Sequence, residues 1–345
     1  MTHRVVVIGA GLIGTMVARA LAQGGRHDVT LIEATQGLGR GVSAMSFGWV
    51  TQLAGWQPPS QVKFDLLLAG RRAYDGLNAA MREKLFVPGD GALVWRDSPE
   101  ATEALIAERR ALGANVQGLD RAAIQRVAPH LAVVPDLAAH APDDIFLRPG
   151  MAAGRLADSA VDSGAVVVTN QTALGIATES GRVTGVYLAE TTVPADSVVL
   201  ATGAMTHRML PEGASAPEIT TSPSALITLT AEGPAPTLAL SGPGLEIRKD
   251  RRPDHFLVAA PLRGEDGPTL EALAEEKCQT ARDWFPGLRN WHVASSGIGQ
   301  RPMPQTDTGL IAEETAGVSG LYVAAAHPGV SLAPVVTERI LALLS

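Results

Sequence analysis

Two periods organise the apolar positions of this chain. Short, largely apolar runs read as buried strands: Val5 to Ile8, Val29 to Ile32, AVVVT at 165–169, SVVLATGA at 197–204 and LYVAAAH at 321–327. Between them lie helical stripes. Met16, Val17, Ala20 and Leu21 form the first, and similar patterning runs from about Val62 to Lys84, Pro99 to Leu112, Leu119 to Val127, Gly150 to Ser163, Thr269 to Phe285 and Ala333 to Leu344. GALVWR (91–96) and DDIFLRP (143–149) are extended, and LGIATES and RVTGVYLAE make a hairpin about Gly181. Residues 211–265 have another texture, rich in proline and glycine with alternating strands SALITLTAE, GLEIRKD and HFLVAAPL. The segment Gly37 to Trp56, dense in glycine, serine and aromatics, has no clean period and reads as a functional loop.

At 345 residues the chain exceeds the usual single-domain size. The α/β texture of the start returns in the middle and at the end, so the pattern predicts an α/β fold: a Rossmann-like nucleotide-binding domain with an inserted mixed-sheet α+β substrate lobe. The expected division gives residues 1–75, 143–205 and 295–345 to the first and 76–142 and 206–294 to the second.

The opening strand–helix–strand unit carries Gly9-Ala-Gly11-Leu-Ile-Gly14 and ends in Glu33. Gly9 makes the tight turn, Gly11 lets backbone approach a pyrophosphate, and Gly14 lets helix and strand pack closely. A helix N-terminus then faces the diphosphate, and Glu33 is placed to accept from a ribose diol. Leu12, Ile13 and Ala34 flank these positions.

Charge and cysteine content narrow the class. The formal charge of −7 comes without a lysine or arginine run, which argues for a small substrate over nucleic acid or an anionic membrane. Cys278 is the only cysteine, so no intrachain disulfide forms, and the composition suits a reducing cytoplasm. No stretch has the ~20 apolar residues of a spanning helix. Val5 to Leu21 reads as the first strand and helix of the fold, not as a secretory segment. The eight histidines are scattered, so no metal site is expected.

Three later segments separate FAD from NAD. GRGVSAMSFGW, DSVVLATGA and SGIGQRPMPQTDTGLI followed by GLYVAAAHPGVSLAP together resemble the D-amino-acid oxidase family of FAD-dependent oxidoreductases, over nearly the whole chain. The resemblance implies a Rossmann-like FAD-binding domain and oxidation of a C–N bond in a small amine or amino acid, by hydride transfer to flavin N5. Oxygen or another carrier would then accept the electrons. It also implies that Ser43 and Ser46 offer donors to an anion, the alternative being that they only cap a turn. Ala201, Thr202 and Gly203 give a side-chain-poor strand end against the cofactor, and Ala173 meets adenine through its main chain. Gly329, Val330, Ser331 and Leu332 present a helix N-terminus to the flavin's pyrimidine edge. Arg301, in Gly299-Gln300-Arg301-Pro302, would clamp a substrate carboxylate and border the cofactor, unless it pairs internally with Asp307.

Two departures from the family pattern bear on substrate. Where relatives carry a tyrosine, GLEIRKD places Glu246, which would repel an anionic end and attract an ammonium. HFLVAAP lacks the lysine of sarcosine-type members, leaving oxidase or dehydrogenase open. His327 either faces the flavin or ends a strand. Trp49, Trp56 and Trp95 either wall a pocket or fill the core. Cys278 lies far from the motif that bonds flavin in sarcosine-type relatives, so non-covalent FAD is expected. A flavin-binding subunit of a hetero-oligomeric dehydrogenase and a nicotinamide-dependent dehydrogenase stand as alternatives, and an oligomer is possible.

Overall fold

A computed structural model describes residues 2–53, 59–262 and 267–345; Trp56 lies outside the described residues. Seven α-helices occur among them: α1 (Leu12–Gln23), α2 (Gln61–Ala80), α3 (Pro99–Ala111), α4 (Arg121–Val127), α5 (Pro149–Asp162), α6 (Leu270–Trp284) and α7 (Gly329–Leu343). None is long and apolar enough to cross a membrane.

The apolar runs assemble into one six-stranded sheet. Its order is Leu310–Glu314, Leu321–Ala326, Ser197–Leu200, His3–Ile8, His27–Ile32 and Val166–Val168, parallel throughout except for the first edge strand. Strands covered on both faces need apolar residues at successive positions, which is why VVVI and SVVL do not alternate. Val5, Val7, Leu31 and Val199 pack with α1, α5 and α7 on one face. Val6, Ile8, Val198 and Leu200 pack on the other against the hairpin core of Ile176, Val183 and Val186.

The second sheet has eight strands, with Arg289–Pro304, Ile219–Glu232, His255–Pro261 and Leu245–Lys249 at one end. One face, including Ile227, Ile247 and Val258, buries Leu273, Cys278 and Trp284 of α6. Period-2 alternation turns the intervening residues the other way. Leu226 and Leu257 meet Phe47 of the serine-rich loop, and Ser222 lies opposite Arg301 as Ser241 lies opposite Glu246. Helix α2 runs through residues 75–76 and the strand Arg289–Pro304 through 294–295, so two expected domain cuts fall inside continuous elements.

Element ends differ from the periodicity where side chains supply caps. Residues 117–120 are a strand rather than helix, and Asp120 then caps α4 by accepting from Ala123 N. Helix α2 stops at Ala80 because Lys84 folds back to donate to the carbonyls of Asn78, Ala79 and Met81. Helix α7 begins at Gly329, ahead of its apolar stripe, and contains Pro334. Proline has no N–H for the carbonyl of Val330 four residues back, and the Tyr74 hydroxyl of α2 donates to that oxygen instead, at 2.7 Å. Trp95 stacks on Trp284 at 4.8 Å and is core. The half-buried Trp49 donates through Nε1 to Asp144, which also accepts from Gln52 N and holds residues 49–52 in place.

Arg248 joins the second sheet to the serine-rich loop. It is 2 % exposed, donates from Nε to Phe47 O and from Nη2 to Leu147 O, both at 2.7 Å, and lies over the rings of Phe47 and Phe146. Burial pushes its pKa down to about 9, with Asp250 opposing, so it stays charged at neutral pH. Arg248→Ala should lose about 3–5 kcal/mol of stability in urea unfolding, because the buried carbonyls of Phe47 and Leu147 lose their donor and the packing over two rings is lost. Arg248→Lys should recover less than half of that, since one ammonium does not reproduce the fork.

Candidate active site

The turn at the top of the first strand is built by close approach. Gly9 has φ +100°, and a Cβ there would stand 2.7 Å from Ala201 O; one on Gly14 would stand 1.9 Å from Gly9 O. Helix α1 has Gly11 as N-cap and no cap from its own side chains. Ser43 Oγ accepts from Leu12 N at 3.0 Å, while the amides of Ile13 and Gly14 have no partner within the helix. A Cβ at Gly11 would come 3.2 Å from that hydroxyl, so the bare glycine keeps the helix end open to an anion.

Glu33 closes the next side of the cradle. Its carboxylate accepts from Ala10 N and from Thr35 N and Oγ1, each at 2.9 Å, with Ala34 between. Gln171 N donates to Glu33 O, drawing the 169–173 loop alongside and setting the buried Ala173 next to this end. Ala201 N donates to Ile8 O, and Gly203 turns the chain toward Pro302. Thr202 shares a hydroxyl contact with Thr206 at 3.1 Å. Ser46 is occupied by its own turn, accepting from Gly48 N at 3.2 Å. It and Ser43 line a cavity of about 250 Å3 with Arg40, Arg148 and Met151. These residues fit the dinucleotide that the glycine spacing implies.

A second open helix end lies at α7. Pro328 is its N-cap and no side chain caps it. Leu332 N already donates to Pro328 O and the leucine side chain is buried in the core, so the orphan donors are the amides of Gly329, Val330 and Ser331. The serine-rich loop meets the strand that carries Arg301. A Cβ at Gly297 would meet Met45 Sδ at 2.8 Å, and one at Gly299 would meet Met45 Cβ at 2.8 Å, so these two glycines let loop and strand touch.

Arg301 is half-buried on that strand. Its Nε donates to Ser222 O at 3.2 Å and Nη2 to Ser222 Oγ at 2.7 Å; its bonds go to Ser222 and not to Asp307. Glu246 shares the face and accepts from Ser241 Oγ at 3.4 Å. Burial pushes its pKa up to about 7, with Ser241, Arg301 and Arg96 opposing. His327 follows the strand Leu321–Ala326 and donates its backbone N–H to Gly309 O at 2.7 Å. Burial, then Arg301 and Lys63, push its imidazole down to about 4, so it is neutral at neutral pH. The fields of these groups overlap, which places Arg301, Glu246 and His327 in one electrostatic neighbourhood.

Two members of this neighbourhood, Arg96 and Lys63, and the nearby Arg248 escaped the sequence reading. Arg96 lies two residues past the strand Ala92–Val94, and Lys63 sits in the first turn of α2. Arg248 stands two residues after Glu246, and that period-2 spacing on one strand face was the available signal. Lys63 heads the helical series 63, 67, 70, 74, a charged residue at the end of a packed stripe.

Comparison with known proteins identifies the fold and the family. The curated glycine oxidase of Pseudomonas aeruginosa is 27% identical, over 97% of this chain and 92% of its own. The crystal structure of glycine oxidase from Geobacillus kaustophilus superposes with a TM-score of 0.86 at 23% identity, covering 99% of this chain and 95% of that one. L-amino acid deaminase from Proteus vulgaris, with its specific insertion deleted, gives 0.86 at 19% identity, covering 100% and 90%. The family model described as DAO, FAD dependent oxidoreductase, matches residues 4–343, and the chain therefore belongs to the DAO family of FAD-dependent oxidoreductases.

Proposed function

We propose that this FAD enzyme oxidises the C–N bond of a small amine or amino acid whose carboxylate is held by Arg301. The observation that carries the reading is the half-buried guanidinium on the sheet face that meets the serine-rich loop, oriented by Ser222 through two hydrogen bonds. A planar fork suits bidentate binding of a carboxylate. When bound, FAD would supply the two-electron acceptor for oxidation of the substrate C–N bond to an imine, which hydrolyses. Arg301 orients the substrate, and the apolar contacts of Phe47 with Leu226 and Leu257 exclude water from the sheet face. The amides of Gly329, Val330 and Ser331 stabilise negative charge at the end of α7. The names of the glycine oxidase and L-amino acid deaminase relatives support an amino-acid substrate. Oxygen or another carrier serves as electron acceptor.

Cys278 is fully buried on the α6 side of the second sheet, away from the loop-facing side, which supports a non-covalent cofactor. The purified protein should be yellow, and acid precipitation should release the flavin into the supernatant. A yellow pellet would contradict the non-covalent assignment.

Arg301→Lys keeps charge but loses the fork. For an α-amino acid, apparent affinity in anaerobic flavin reduction should fall about ten- to a hundredfold, roughly 1.4–3 kcal/mol, with FAD content unchanged. Unchanged kinetics would remove Arg301 from the site.

Glu246 gives the site a pH dependence of known sign. Its carboxyl loses its negative charge as pH falls through about 7. A simple carboxylate such as acetate, followed by perturbation of the flavin spectrum, should therefore bind roughly three- to tenfold more tightly at pH 6 than at pH 8. Glu246→Gln should bind tightly at both values and flatten the profile.

A further inference from the structure

Lys63 is a cation with no assigned role. It lies in the first turn of α2, half-buried, and among the described residues its ammonium has no hydrogen bond or ion pair. Its position is nevertheless well fixed. Helix α2 is pinned to α7 by the Tyr74 bond to Val330 O and by Gly70, where a Cβ would come 2.1 Å from Ser331 O. Residues 63, 67, 70 and 74 share one helical stripe, so Lys63 lies on the side of α2 that faces the start of α7. A Cβ on Gly309 would stand 3.2 Å from Lys63 Nζ and 2.5 Å from His327 O, which puts the ammonium beside Gly309 and close to His327, two residues ahead of α7.

The neighbouring charges leave this cation uncompensated. The groups acting on His327 are Arg301 and Lys63, both positive, while burial keeps the imidazole neutral. Glu246 acts on Arg301 and Arg96. Burial draws the Lys63 pKa down, and among the described residues no acid opposes it. A half-buried ammonium without a counter-ion is costly, and an anion forming nearby would offset that cost.

We propose that Lys63 is a charge-setting positioning residue, whose ammonium beside Gly309 and His327 adds to the α7 amides in stabilising the negative charge that the flavin gains on reduction. The inference rests on the seating of the flavin against α7 proposed above. The helix end contributes about half an elementary charge, and Lys63 contributes a whole one.

Sulfite tests this without substrate. It uses its own lone pair to form an S–N bond at flavin N5, with no other oxidant or reductant. The electron pair displaced into the ring becomes the negative charge that a nearby cation stabilises. In the FAD-loaded protein, K63M should weaken sulfite binding, read from bleaching of the visible flavin band, by about tenfold or more at unchanged FAD content. K63R should stay within about threefold of the parent, since it restores charge. A sulfite affinity in K63M within twofold of the parent, or an equal loss in K63R, would overturn the proposal. So would a K63M protein that loses acetate binding but keeps sulfite binding, which would move Lys63 to the substrate. A parent that holds FAD but forms no adduct also overturns it, whereas a parent that takes up no FAD fails the cofactor assignment itself.

Discussion

Arg248 sets the distance between the eight-stranded sheet and the serine-rich loop, and the site depends on that distance. Its guanidinium spans the carbonyls of Phe47 and Leu147 while lying over two rings, so loop, sheet and the strand Ile145–Leu147 converge on one side chain. Taking a guanidinium out of water costs several kcal/mol, about what its hydrogen bonds and Asp250 must offset. Such a contact has one satisfactory geometry. It fixes Phe47 on Leu226 and Leu257, and with the 41–49 loop so held, Met45 meets the strand that carries Arg301.

Four of the seven helices in the described residues start under a side-chain cap, and three, α1, α5 and α7, do not. Ser60, Ser98, Asp120 and Thr269 each cap the helix they precede, satisfying an amide within the fold. Gly11 and Pro328 supply no such oxygen to α1 and α7. Their free donors and dipoles suit a ligand with negative charge at two places, diphosphate at one and reduced ring at the other.

The cradle was legible because each of its parts is local. Gly9, Gly11, Gly14 and Glu33 lie within one short stretch whose spacing alone specifies the turn, and the structure draws Ser43, Ala173 and Ala201 around it. Arg301 and Glu246 came from family resemblance, and the structure puts them on one sheet face. What remained hidden arises across the sheets. Arg301 and its partner Ser222 are 79 residues apart, and no spacing announces that pairing. Arg248 was passed over because a charged residue on a strand reads as solvent-facing unless its partner loop is known. Lys63 was missed because the stripe it heads packs onto a helix more than 250 residues away. Ser46 fits the alternative the sequence left open, its hydroxyl accepting from Gly48 N within its own turn while it lines the cavity.

The bond from Tyr74 to the carbonyl that Pro334 leaves free has a consequence for how this architecture can be recombined. The C-terminal helix looks like a self-contained cassette, since it is contiguous and begins with its own anion-facing turn. Its first turn is nevertheless completed by a hydroxyl and a missing Cβ from α2, at Tyr74 and Gly70. A chimera that exchanged α7 alone would inherit a proline without the phenol that compensates it. The transferable unit is the pair of helices, and sequence drift in one is constrained by the other across 256 residues of chain.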